Sequence, residues 1–310
     1  MNKEQLTALK NALLSFPDGS IGVKEGEVMA RHTTFRIGGE ADLFLTPKSI
    51  DAFVRLLTLI CDMNLPYRVI GNASNLLISD DGFRGVIVCT CELSLVTVSG
   101  HRMTAQCGAT LARCARSAAE ASLSGLEKLS GIPGTIGGAL AMNAGAYEKD
   151  IASLVSSVLV YDVSIGECRT VSVDDLAFGY RHSLISDKNL IALQCDLILH
   201  ERARSDIFLE MNTLSEKRRS TQPLELPSAG SVFKRPPNDY AGRLIEAAGL
   251  KGTRIGGAEV SPKHAGFIVN VGGATAKDVR ALINHIQNEV RRQSDVLLVC
   301  EIEYVSSEEV

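Results

Sequence analysis

The chain has 310 residues, 45% of them hydrophobic and 22% charged, with a formal net charge of −4. These proportions belong to a water-soluble globular protein long enough for two or three domains, and they argue against the basic stripe of a nucleic-acid binder. No run approaches the ~18 apolar residues of a membrane span, and the opening MNKEQLTALKNALLS reads as a charged amphipathic helix without a signal core, so a cytosolic protein with no membrane partner is expected.

A β-α-β unit opens the chain. ADLFL is a short strand, Ser49 caps a helix whose inner face is Ile50, Phe53, Val54, Leu57 and Ile60, and Asn64 with Pro66 stops it. YRVIG is the next strand, followed by the loop NASN and the short β segments LLIS and GVIVCT around the turn DDGFRG. From about residue 95 to 201, β segments dominate: LVTVSG, MTAQCG, SSVLVYDV, RTVSV and LIALQCDLIL, with an alanine-rich helix from Thr110 to about Ser122. A new amphipathic helix (Ile207, Met211, Leu214) then opens a last block. It continues through SVFK, a helix in YAGRLIEAAGLKG ended by Gly249, the strand GFIVN, a helix capped by Thr275, and a final strand VLLVCEIEYV. The expected division is 1–93, 94–203 and 204–310, in an α+β fold.

The eight cysteines are scattered in apolar runs, in neither disulfide-framework nor zinc spacing. In GVIVCTCEL, alternation puts Cys89 and Cys91 on one face of a strand, as buried reduced thiols. None of the six histidines stands in ligand spacing, and no metal site is expected.

The densest glycine region is SGIPGTIGGALAMNAGAYEKDI, with Gly131, Gly134, Gly137, Gly138 and Gly145. Glycine lets main-chain N–H groups approach a ligand closely, and successive N–H groups make an anion-binding nest. The stretch has neither the Gly-Lys-Ser/Thr of a P-loop nor a Rossmann fingerprint after a strand, and an ordinary cluster of tight turns is the alternative at this point. A second such loop, GNASN, follows the strand YRVIG and offers Asn72, Ser74 and Asn75 beside bare backbone. Two such loops in successive β-rich blocks suit one extended dinucleotide.

HTTFRIGG, YRVIGNASNLLISDDGFRGVIV, GIPGTIGGALAMNAGAY, FGYRHS, SAGSVFKRP, IEAAGLKG and a final CEIEYV occur in that order. Together, over about residues 31 to 305, they closely resemble the UDP-N-acetylenolpyruvoylglucosamine reductase family, in its compact branch. The resemblance implies a two-subdomain FAD-binding fold of the vanillyl-alcohol-oxidase type plus a C-terminal α+β substrate domain. It implies noncovalent FAD, NADPH as reductant and UDP-N-acetylglucosamine enolpyruvate as substrate, within peptidoglycan precursor synthesis for the cell wall. A monomer is expected.

The resemblance gives FAD two loops. In the first, Gly71, Asn72, Ala73, Ser74, Asn75 and Leu76 line the cofactor; the family usually has Gly at the place of Ala73, where a positive φ would cost Ala roughly 1 kcal/mol. In the second, the lining falls to Gly134, Thr135, Gly137 and Gly138, then Asn143, Ala144 and Gly145.

Reducing an enolpyruvyl ether adds hydride to an alkene conjugated with a carboxylate, so the site needs a cation or donors where negative charge develops and a proton donor at the alpha carbon. Arg181, in FGYRHS, has a fixed fork of donors suited to a carboxylate; as a residue alone it reads equally as a salt-bridging loop arginine, and the family motif makes it catalytic. Tyr180 beside it is a substrate-positioning candidate. Ser231, in SAGSVFK, is a turn residue by pattern and the proton donor by resemblance, and no Gly-x-Ser-x-Gly elbow surrounds it. In VLLVCEIEYV, Val296, Leu298, Cys300, Ile302 and Tyr304 share an apolar face, while Leu297, Val299, Glu301 and Glu303 share the other. That second face reads as a solvated strand end, but the family's terminal acidic residue aligns with Glu301, which would polarise the enolate. The resemblance places Lys234 against NADPH or the UDP diphosphate, with Arg235 beside it as a substrate contact where the family often has Asn. Lys263 and His264 fall where the family meets substrate. Another FAD oxidoreductase of the same scaffold, an alcohol or lactone oxidase, is the near alternative, and a flavin- or nucleotide-binding module without turnover the distant one.

Overall fold

The computed structural model describes residues 1–187 and 190–307. The chain forms two units: residues 1–25, 42–72 and 85–217 make the first, and 26–41, 73–84 and 218–310 the second. Two short segments from the N-terminal third therefore belong with the C-terminal part.

In the first unit the helix Ile50–Asp62 is capped as its sequence requires, Ser49 Oγ accepting from Ala52 N, and Asn64 just beyond it has left-handed φ of 48°. Phe53, Leu56, Leu57 and Ile60 are buried with Leu43, Leu45, Val86 and Val88, and with Tyr161 and Leu193 from farther along the chain. The strands Tyr67–Ile70 and Phe83–Cys89 pair in parallel. A five-stranded antiparallel sheet runs in the order Glu167–Ser172, Val155–Asp162, Leu190–Ile198, Arg102–Gln106, Val96–Ser99. The helix Leu111–Glu120, capped by Thr110, buries Cys114, Ala115 and Ala118 in the same core as Val158, Val160 and Cys195 of that sheet. Small side chains along one helix face are what allow this packing. The strand around Cys89 ends at that residue, so Cys91 lies outside it and the expected single strand face for both thiols is corrected.

In the second unit a three-stranded sheet, Arg254–Ile255, Ala258–Val260 and Ile268–Asn270, shares a core with the helix Ala276–Ser294. Thr275 and Asp278 form a capping box on that helix, and the Asp80 carboxylate accepts from Ala276 N at 2.7 Å and Lys277 N at 3.0 Å. Gly249, with φ of 74°, ends the helix Ala241–Ala247 as expected. Leu76–Ile78 pairs in parallel with Glu303–Val305. The final strand is shorter than the ten residues of VLLVCEIEYV: only Glu303–Val305 is regular. Residues 299–301 instead bond to 232–234, and Pro236 and Pro237, which carry no N–H, end that partner segment. The facing is as expected, with Leu298 and Ile302 buried and Leu297 and Val299 exposed. Among the described residues no helix is long and apolar enough to cross a membrane.

Candidate active site

Gly71 and Asn72, the part of the first glycine loop that lies in the first unit, meet the second glycine stretch there. Asn72 Nδ2 donates to Pro133 O at 2.9 Å, and a Cβ added to Gly71 would lie 2.1 Å from Thr135 Oγ1. Gly71 is thus glycine because Thr135 occupies the space. Gly137 has a similar reason, since its Cβ would stand 3.2 Å from Cys107 Cβ, and Gly145 sits in the hairpin of Gly145–Ala146 and Lys149–Asp150, where a Cβ would reach Lys149 O at 2.8 Å. Gly134 O accepts from Leu111 N, and Ala144 N donates to Ala139 O.

Gly138 is different. It is exposed and lies inside the helix Ile136–Ala141, and an added Cβ would meet only Thr135 Oγ1, at an unstrained 3.8 Å. A glycine there costs about 1 kcal/mol against alanine, and nothing in the protein requires it. Among the described residues no acceptor takes its N–H. Bare, open main chain beside a second glycine loop fits a flat or phosphate-bearing ligand lying directly on the backbone, as FAD would.

Ala73 adopts φ of 47° and is buried, so the left-handed conformation does fall on alanine. Asn75 Nδ2 donates to Glu301 O at 3.0 Å and Asn75 O accepts from Glu303 N, which ties that loop residue to the last segment of its own unit. Leu76 begins the strand that follows. Ser74 is half-buried.

Arg181 occupies a tight turn closed by Gly179 N to His182 O (3.0 Å) and His182 N to Gly179 O (3.3 Å), with φ of 54°. Its Nη2 donates to Gly145 O at 3.3 Å, and its guanidinium lies 5.1 Å from the centre of the exposed Tyr180 ring. Arg181 is thereby joined to the glycine stretch. Two further residues fasten the turn. Asn143, buried and with φ of 40°, donates from Nδ2 to Gly179 O at 3.0 Å while its Oδ1 accepts from Ala152 N. Its amide is therefore committed to the protein. Ser183 sits fully buried with Oγ 2.8 Å from Leu140 O and 3.0 Å from Ala141 O. Sequence reasoning missed Ser183, although it closes the motif that pointed to Arg181.

In the second unit Ser231 is exposed on a segment clasped on both sides. Ser231 bridges Phe267, Val232 N donates to Gly266 O, Glu301 N donates to Val232 O at 2.7 Å, and Lys234 N donates to Val299 O. Glu301 is half-buried, with its main chain beside the residue that follows Ser231. Arg235 stacks on the Tyr240 ring at 4.0 Å and donates to Asp239 O, so it is engaged by its own neighbours. His264 Nδ1 accepts from Gly266 N and its ring meets the Phe267 edge, and burial lowers its pKa. Beside the first loop, Cys91 donates its thiol proton to Asn72 Oδ1 at 3.7 Å.

Residues 222–305 match the family described as UDP-N-acetylenolpyruvoylglucosamine reductase, C-terminal domain, and residues 41–172 match an FAD binding domain. A UDP-N-acetylenolpyruvoylglucosamine reductase of Clostridium tetani is 44% identical over 284 residues, covering 92% of each chain. A UDP-N-acetylenolpyruvoylglucosamine reductase 2 of Bacillus cereus is 41% identical over 99% of both. The solved UDP-N-acetylenolpyruvylglucosamine reductase of Thermus caldophilus superposes with a TM-score of 0.79 at 35% identity, over 92% of this chain and 99% of that one. This chain belongs to the UDP-N-acetylenolpyruvoylglucosamine reductase family.

Proposed function

We propose that the chain is an FAD-dependent oxidoreductase that uses NADPH to reduce UDP-N-acetylglucosamine enolpyruvate to UDP-N-acetylmuramate, a peptidoglycan precursor. The observation that carries this reading is Arg181. A cation held in a left-handed turn is bonded to the glycine stretch that includes the packing-independent Gly138.

Residues of both glycine loops would hold the cofactor: Gly71, Asn72, Ala73, Ser74, Asn75 and Leu76 in the first, Gly134, Thr135, Gly137, Gly138, Asn143, Ala144 and Gly145 in the second. FAD, when bound and reduced, supplies the hydride taken up by the terminal vinyl carbon. Arg181 pairs its fork of N–H donors with the substrate carboxylate and gains strength as the enolate forms. The Ser231 hydroxyl gives its proton to the alpha carbon; its exposure leaves it reachable and lets water restore the proton. Glu301 orients and polarises the enolate, Tyr180 positions the sugar, and Lys234 with Arg235 meets a diphosphate. The Asn143 amide is spent on Gly179 and Ala152, so its contact with the cofactor would be made by its main chain. The parts 1–93 and 94–203 would hold the cofactor and 204–310 the substrate; both boundaries fall inside the first unit, which runs there from 85 to 217. A cytoplasmic monomer suits a nucleotide-sugar substrate.

The test is an anaerobic half-reaction titration. The yellow protein bleaches with NADPH and regains its colour when the enolpyruvyl sugar is added. Bleaching with no recovery overturns the reading. Rapid recovery with oxygen after reduction by an alcohol would establish an oxidase instead.

A further inference from the structure

The turn that carries Arg181 is in a conformation that L-residues avoid, and such a backbone persists only when its surroundings over-determine it. Here the surroundings can be named. On one flank Asn143 Nδ2 holds Gly179 O; on the other the Ser183 hydroxyl shares its single proton between Leu140 O and Ala141 O. Those two carbonyls are the last of the helix Ile136–Ala141; Leu140 O also accepts from Met142 N and Asn143 N, and the hydroxyl adds a side-chain tie to that helix end. Both ties run to the glycine stretch, which also supplies Gly145 O as the partner of the guanidinium. The arginine and its reference frame are thus joined at three points.

We infer that Asn143 and Ser183 are positioning residues for Arg181, fastening its turn to the glycine stretch so that the guanidinium keeps a fixed place relative to the bound cofactor. The inference deepens the reductase reading and rests on it. Two-pronged recognition of a carboxylate tolerates little displacement, so a loosened turn weakens the reaction while every reacting group is still present. Neither side chain touches the reacting atoms in this scheme. Their removal acts through Arg181 alone.

The holoenzyme provides the test. Ser183→Ala removes the shared proton. Asn143→Gly removes the amide while keeping a residue at ease with φ of 40°. Ser183→Ala is expected to retain FAD and its visible spectrum and to bleach with NADPH at the parent rate. Recovery of colour with the enolpyruvyl sugar slows by roughly 10- to 100-fold, seen as a fall in kcat with KM little moved. Amide hydrogen exchange at residues 179–183 quickens while residues 155–162 keep the parent rate. In an Arg181→Ala background, Ser183→Ala slows recovery no further, because the two changes act through one group.

Slowing that multiplies in the double variant overturns the inference. So does a joint fall in FAD content and in both half-reactions of Ser183→Ala, the sign of a merely structural role. Unchanged exchange at 179–183 in both variants also sinks it, whatever the activity. If Arg181→Ala itself leaves recovery unaltered, the catalytic reading of Arg181 fails instead, and the exchange data still decide whether the fastening exists.

Discussion

The turn that carries Arg181 and the segment that carries Ser231 are secured by different kinds of atom. Around Arg181 the ties run from side chain to main chain, through Asn143 and Ser183. Around Ser231 they run from main chain to main chain, with Val232, Lys234 and Glu301 bonding to Gly266, Val299 and Val232. The first arrangement depends on the identity of residues that never meet the substrate. The second rests on bonds that any side chain compatible with an extended backbone would leave in place.

That contrast can be broken in order of expected effect. Ser231→Ala is expected to slow alkene reduction by about 10²- to 10⁴-fold. Its stability should stay within about 0.5 kcal/mol of the parent, because every bond around it is main chain. A large drop in the urea midpoint would contradict the comparison. Arg181→Ala comes next, with a loss of about 10²- to 10³-fold in the oxidative half-reaction and FAD content intact. An apoprotein on purification would show that the cradle itself depends on that cation.

Gly71→Ala probes the loops rather than the chemistry. The new methyl would have to displace Thr135, at a cost of about 1–3 kcal/mol, and FAD affinity falls with it. Isothermal titration of the apoprotein measures the second effect, and unaltered FAD affinity would dissociate the contact from the cofactor. Ala73→Gly goes the other way. Relief of the left-handed alanine raises stability by about 1 kcal/mol, read as a higher urea midpoint at unchanged slope.

The smallest effect is in acid. Burial alone would raise the Glu127 carboxyl, but the Ser124 hydroxyl, the Gly125 N–H and Arg202 outweigh it and hold it below its ordinary 4.5. The unfolded chain therefore takes up this proton first. The stabilisation is complete above the unfolded value and disappears as pH falls through the lower folded one. Glu127→Gln should flatten that acid limb in thermal melts between pH 5 and 3, and an unchanged slope would refute the assignment.

Local signals were legible in the chain. Ser49 and Thr275 cap the helices they were expected to cap, Gly249 ends its helix, and the residues of the five-stranded sheet show their strand pattern. Pairings between distant segments leave no such mark. Nothing in LLIS announces that Glu303–Val305 is its partner, nor that residues 26–41 belong with the C-terminal core. The same limit applies to the site. Motif order identified Arg181, Ser231 and Glu301, whereas the anchoring by Ser183 depends on carbonyls some forty positions away, at Leu140 and Ala141. The glycines also looked alike in sequence. Only packing separates Gly71, where Thr135 fills the space of a side chain, and Gly137, where Cys107 would have to give way slightly, from Gly138, where the space is open.

The parallel pairing of Leu76–Ile78 with Glu303–Val305 has a consequence for biosynthesis. Asn75 and Glu301 are 226 positions apart, so at ~5–20 residues per second the early strand leaves the ribosome roughly 10–45 s before its mate exists. During that interval its unpaired edge invites association with other nascent chains. Slower elongation lengthens the wait, and the yield of folded enzyme should fall with it.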